Sequence, residues 1–220
     1  MSPKRLQNKI ERLLAELRQN CPKRYNDNTW TTWIDSKNSK KILTTYKAEY
    51  LDAGASRMAI AIPHAGKTYV FKVVFATLSD NVVNGEAEDD NHAEIKAVLH
   101  TKKSIWTRSL VLPMVTYFHN KHVGWVSVWP KVTEYDYYDD VYTHHTDRKY
   151  NEFRYGLIEG LTSDAHGGNV GYWKGYLWLI DFNLDDCQMN HERIKKTHKR
   201  YAPKYRKAYR EASKLVKSFD

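Results

Sequence analysis

Cysteine is scarce in this chain. Its two thiols, Cys21 and Cys187, stand far apart and in no metal-ligand spacing. Neither a disulfide framework nor a cysteine-built zinc site is expected, and a reducing compartment follows. Glycine and proline are also sparse, 10 and 6 in 220 residues, which excludes collagen-like and low-complexity chains. No run of 18 apolar residues occurs, so no membrane-spanning helix is expected. The opening Met1-Ser2-Pro3-Lys4-Arg5-Leu6 soon meets Glu11, Arg12 and Glu16, unlike a secretory leader. There is no internal repeat. A cytoplasmic protein with no membrane partner is the expectation. What is present is globular in kind: 41% hydrophobic, 13% aromatic and 28% charged residues, in a chain long enough to bury a core without staples.

The charge is uneven. The net value is +9. Residues 191–217 hold 11 Lys/Arg against Glu192 and Glu211, and residues 1–24 hold 7 against Glu11 and Glu16. Between them the chain is mildly acidic. Basic ends can track phosphates or steer an acidic partner, or they can be solvated helix faces.

Hydrophobic spacing gives the element order. Ser2-Pro3 reads as a helix start, followed by a stripe of Leu6, Ile10, Leu13, Leu14 and Leu17 that ends at Asn20-Cys21-Pro22. Residues 21–40 read as polar and irregular, and from about 42 to 76 the signal becomes β. Ala48 to Ile62 reads as two short strands, and Thr68 to Phe75 as another, after a turn at 63–67. A helix fits 86–101. Strands are expected at about 110–118 and 123–129, and a helix over 146–161. A hairpin follows, Asn169 to Tyr172 and Tyr176 to Phe182, around Lys174-Gly175. A last helix runs through Tyr205, Ala208, Tyr209, Ala212, Leu215, Val216 and Phe219. The order implies an α+β chain with two lobes rather than alternating β-α units.

The chemistry sits in Asp164-Ala165-His166-Gly167-Gly168-Asn169 and in Leu179-Ile180-Asp181-Phe182. An Asp and an Asn five apart lie at a helix-to-hairpin turn, and a second Asp follows at the end of an apolar strand. Phosphoryl transfer from ATP uses such parts. One carboxylate orients the attacking hydroxyl and takes its proton, while an amide oxygen and another carboxylate hold Mg²⁺ on the phosphates. Glycines 167 and 168 are expected to let the backbone turn tightly.

These motifs resemble the protein-kinase-like superfamily in its D-x-H-x-x-N form, found in aminoglycoside and choline kinases and in early protein kinases of short-tailed bacteriophages. The resemblance covers about 48–183. It implies a bilobal fold with an antiparallel sheet N-lobe over 46–133 and a reduced helical C-lobe over 134–220. An N-terminal helix with an irregular extension would fill 1–45. It implies that Gly54, Ala55 and Ser56 cover the phosphates. Lys72 would grip them, with Glu94 or its rival Glu88 fixing that lysine. Trp129, Lys131 and Val132 would lie at the adenine hinge, Asp164 would be the base, and Asn169 and Asp181 would be Mg²⁺ ligands. His166 would touch phosphate or hold the loop by a hydrogen bond. The cofactors implied are ATP and Mg²⁺.

The resemblance implies a serine/threonine protein kinase acting on host proteins, with residues 191–217 open to nucleic acid or a nucleic-acid-bound partner. Two alternatives stand beside it: a catalytically weak kinase-fold binding protein and a small-molecule kinase. Thr162-Ser163 replaces the usual His-Arg, Asn183 replaces the Gly after Asp-Phe, and only Gly54 serves the covering turn. Residue by residue there are plainer readings: turn hydrogen bonding for Asp164, Asn169 and Asp181, and an edge-strand lysine for Lys72. His119, His122, His144 and His145 have no partners at zinc spacing. The tyrosines 135, 137, 138 and 142 read as a solvated acidic loop or as modification sites.

Overall fold

The computed structural model describes residues 3–20, 34–53, 57–74, 86–102, 107–121, 123–135, 148–162, 164–181 and 206–217, with single positions between 192 and 203. The phosphate-covering turn Gly54-Ala55-Ser56, both cysteines, Phe182 and Asn183 lie outside the described residues. The chain forms two compact units, Met1–His92 with Met114–Lys131, and Ala93–Pro113 with Val132–Asp220.

The first unit begins with α1 (Pro3–Gln19) and α2 (Lys37–Tyr46), then β1 (Glu49–Ala53), β2 (Arg57–His64) and β3 (Lys67–Val74). Helix α3 (Glu86–Thr101) starts in this unit and ends in the other. Strands β4 (Thr116–Asn120) and β5 (Gly124–Pro130) complete an antiparallel sheet of order β1-β2-β3-β5-β4. Strand alternation sorts the side chains. Met58, Ile60 and Ile62 of β2 oppose Val73, Phe71 and Tyr69 of β3 and are buried with them. The α1 stripe of Leu6, Ile10, Leu13, Leu14 and Leu17 enters this same core. The N-terminal helix is thus a layer of the sheet unit. Its apolar period of three to four leaves no other face to bury.

Helix α2 corrects the expectation of irregular chain and early strand over 37–46. Ile42, Thr44, Thr45 and Tyr46 are strand-prone, but the caps decide. The Ser36 side chain accepts from Ser39 N–H, and Lys47, left-handed at φ 53°, returns its N–H to Leu43 and Thr44. The Tyr46 hydroxyl donates to Glu16 and ties α2 to α1.

The strand expected over 110–118 is also corrected. Pro113 has no N–H for a ladder, and the apolar run divides there. Leu112 and Leu110 bond β8 (Tyr176–Leu179) through its Leu179, whereas Met114 onward belongs to the first unit.

In the second unit, β6 (Thr133–Glu134), β7 (Val170–Trp173) and β8 form a three-stranded antiparallel sheet. Helix α4 (Arg148–Leu161) packs on β8, and α5 (Arg206–Lys217) buries Ala212 and Val216. Arg154 of α4 is buried. Its guanidinium donates to Leu177 and Ser109 carbonyls at 2.8 and 2.6 Å and lies 4.8 Å over the Trp178 ring. Both tight hairpins use two left-handed residues, Ala65-Gly66 and Lys174-Gly175, the geometry that matches strand twist.

Ala65 holds φ 48° without a side chain suited to it. Ala65→Asn is expected to stabilise the protein by about 0.5–1 kcal/mol, read as a higher urea midpoint. Burial and then the Glu16 carboxylate push the Tyr46 phenol from 10.0 up to about 12. A raised acid favours the folded state while it is protonated. The stability from Tyr46 is therefore complete below about pH 10 and lost as the pH climbs through about 12. Tyr46→Phe should flatten that part of the alkaline stability curve.

Candidate active site

In the second unit the chain leaves α4 at Leu161 and makes a short 3-10 turn, Gly167–Asn169, before β7. Asn169, 7% exposed, organises it. Its Nδ2 donates to the Asp164 carbonyl and to Asp164 Oδ2, both at 2.8 Å. Its backbone N–H donates to the His166 carbonyl at 2.9 Å, and its carbonyl accepts from Ile180 N–H at 2.8 Å. The last bond extends the Val170–Leu179 register and sets Asp181 one residue beyond the site facing Asn169.

His166 holds the turn from outside. Its Nδ1 accepts from Gly168 N–H at 3.1 Å, which puts the ring proton on Nε2, 3.5 Å from Asp164 Oδ1. Gly167 and Gly168 do not take left-handed backbone. The expectation of a conformational need for glycine is corrected: a Cβ on Gly168 would stand 3.1 Å from the imidazole, so the site demands room. Behind the turn, Asp164 N–H donates to Thr162 Oγ1 at 3.1 Å, and the Tyr155 hydroxyl donates to the Ala165 carbonyl at 2.8 Å. Tyr135 stacks on Tyr155 and tilts against Tyr172, so it joins an aromatic cluster.

The outcome is an Asp164 carboxylate with one oxygen held by the Asn169 amide and the other near the His166 ring, while its side chain stays 63% exposed. With both Nδ2 protons directed at Asp164, Oδ1 is the part of the Asn169 amide left to a cation. An amide oxygen and the Asp181 carboxylate are hard donors of the kind Mg²⁺ takes, with phosphate and water completing its shell. The residues fit that ion. No cluster of three or more His, Cys, Asp or Glu side chains suited to a metal occurs among the described residues.

In the first unit Lys72 lies mid-strand on β3, on the sheet face opposite the α1 core. Its Nζ is 5.6 Å from the Trp129 ring centre. Trp129 is buried in β5, with its indole N–H on Ser127 Oγ at 3.0 Å. Lys131 is in an ion pair with Glu49 at 3.1 Å. Val132, in the second unit, packs where a Gly171 Cβ would fall, at 2.7 Å. Glu94 is buried on α3 in the second unit, and the Glu88 side chain lies outside the described residues.

Sequence reasoning missed Asn91. It is fully buried, and its Nδ2 donates to the carbonyls of Lys72 and Trp125 at 3.1 and 2.8 Å, while its Oδ1 faces Arg57. It fastens the start of α3 to the strand that carries Lys72. A lone Asn in an acidic helix gives no periodic signal.

Asn169→Ala removes two short bonds and leaves the Asp164 carbonyl without its amide partner. It is expected to cost about 1–3 kcal/mol of stability, measured by urea unfolding.

No family model matches the chain, and no curated protein matches it in sequence. Solved structures that resemble it include a crystal structure of aminoglycoside phosphotransferase APH(4)-Ia. That likeness has 9% identity, 80% of this chain and 86% of that one, and a TM-score of 0.34. A thermostable mutant of the same phosphotransferase, in apo form, gives 9%, 82%, 89% and 0.32. At that distance the likeness carries neither activity nor substrate to this chain.

Proposed function

We propose that this protein is an ATP- and Mg²⁺-dependent phosphotransferase, and more finely a serine/threonine protein kinase of bacteriophage type that modifies host proteins. The observation that carries the reading is the clamp of Asn169 on Asp164 at the mouth of a hairpin that ends in Asp181. A plain turn needs no exposed carboxylate held by a buried amide.

In this reading Asp164 orients the substrate hydroxyl and takes its proton as the oxygen attacks the γ-phosphorus. The bond to the β-phosphate oxygen breaks, and ADP leaves with the electron pair. Asn169 Oδ1 and Asp181 would hold the ion, and Mg²⁺ when bound would neutralise charge on the phosphate oxygens. Lys72 would supply a cation for the α- and β-phosphates. His166 is a positioning residue, since both ring nitrogens face the turn itself. Basic residues 191–217 would draw an acidic or nucleic-acid-bound target.

The test is transfer of label from γ-labelled ATP with Mg²⁺ to proteins of a bacterial lysate. Asp164→Ala and Asp181→Ala should each lower it by roughly 100-fold or more while urea unfolding shows a folded chain. Equal labelling by wild type and both variants sinks the reading. Nucleotide binding without labelled protein favours a small-molecule acceptor.

A further inference from the structure

The first unit holds a polar cleft, of about 680 Å³. One wall is the wet face of α1, where Arg5, Asn8, Lys9 and Arg12 recur at three and four. The end of α2 with Lys47 forms another, and the β2–β3 turn with His64 closes it. No Asp or Glu lines it. None of Arg5, Lys9, Arg12 and Lys47 has a carboxylate partner among the described residues.

One of the cations is held in place. Lys9 Nζ donates to the Pro63 carbonyl at 2.7 Å and keeps two further N–H donors. The left-handed cap of α2 sets where the Lys47 backbone enters the cleft. Burial, and then the nearby charge of Lys47, lowers the pKa of Lys9. The Glu16 carboxylate accepts from the cleft's Tyr46, but no acid lines the cleft itself, and like charges kept together there call for an anion. Arg5 and Arg12 are two turns apart, about 10 Å along the helix, a spread that suits several phosphates better than one. Tyr46 and His64 are the two rings in its lining, from the end of α2 and from the β2–β3 turn, whereas single-stranded nucleic acids bind over a run of successive rings. The volume matches small-ligand pockets. The turn is six residues from Lys72, about 20 Å along β3, so this is a separate place from the proposed phosphate grip.

We propose that the cleft between α1, the end of α2 and the β2–β3 turn binds a small polyphosphate ligand, of the size of a nucleoside di- or triphosphate.

The test is calorimetric titration of the full chain carrying Lys72→Met with pyrophosphate, and separately with ATP, without divalent metal at low salt. Both are expected to bind. Lys47→Gln and Arg12→Gln, at exposed positions, should each weaken binding about tenfold. Lys96→Gln, exposed on α3, should leave it unchanged, and thermal melts should confirm that all variants fold. No binding of either probe overturns the proposal, as does equal weakening by Lys96→Gln, which marks unspecific charge attraction. Binding of a long single-stranded oligonucleotide that pyrophosphate cannot displace also overturns it, in favour of a nucleic-acid groove.

Discussion

The amide of Asn169 is the interaction on which the candidate chemistry rests. Its side chain fixes Asp164, its N–H closes the turn on His166, and its carbonyl starts the pairing that leads to Asp181. A hydrogen bond between neutral groups contributes about 1 kcal/mol net, but here four converge on one residue. The gain is less in stability than in geometry: a carboxylate left open to solvent yet oriented by its neighbours. His166 and Gly168 guard the same arrangement from the other side, one by filling space and the other by leaving it.

The first unit divides its labour between sheet faces. One face is apolar and covered by α1, with Ile60, Phe71 and Val128 in the same core. The other carries Lys72 over Trp129. Asn91 meets the Lys72 carbonyl at the strand itself, so the helix is registered to the lysine through backbone. In the second unit a buried arginine does comparable work. Arg154 satisfies carbonyls on two segments and rests on an indole face, where an aliphatic side chain would leave polar groups unmet.

The sequence revealed the parts whose signals are local or periodic. The α1 stripe, the helix over 86–101, the glycine turns and the Asp164–Asn169 spacing all lie in short windows. Helix α2 was hidden because Thr44, Thr45 and Tyr46 favour strand, and the Ser36 cap acts from outside the helix. Pro113 was visible, yet its effect depends on where Leu110 and Leu112 find partners, 67 or more residues away on β8. Asn91, Tyr155 and Arg154 act through backbone carbonyls of distant residues, and a carbonyl has no letter in the sequence. The basic cleft shows as charge in residues 1–24, but its other walls come from Lys47 and His64.

The division of the apolar run at Pro113 has a consequence for synthesis. The first unit takes residues up to His92 and then resumes at Met114. Its late piece supplies β5, an interior strand of the sheet between β3 and β4. A ribosome therefore delivers β1, β2 and β3 with α1 well before the strand that completes them. During that interval β3 presents an unpaired edge, with Tyr69, Phe71 and Val73 alternating along it, the kind of edge that recruits other chains. The sheet closes only once Pro130 has left the exit tunnel. Any cut of the gene near residue 92 would yield a fragment that ends with this edge open.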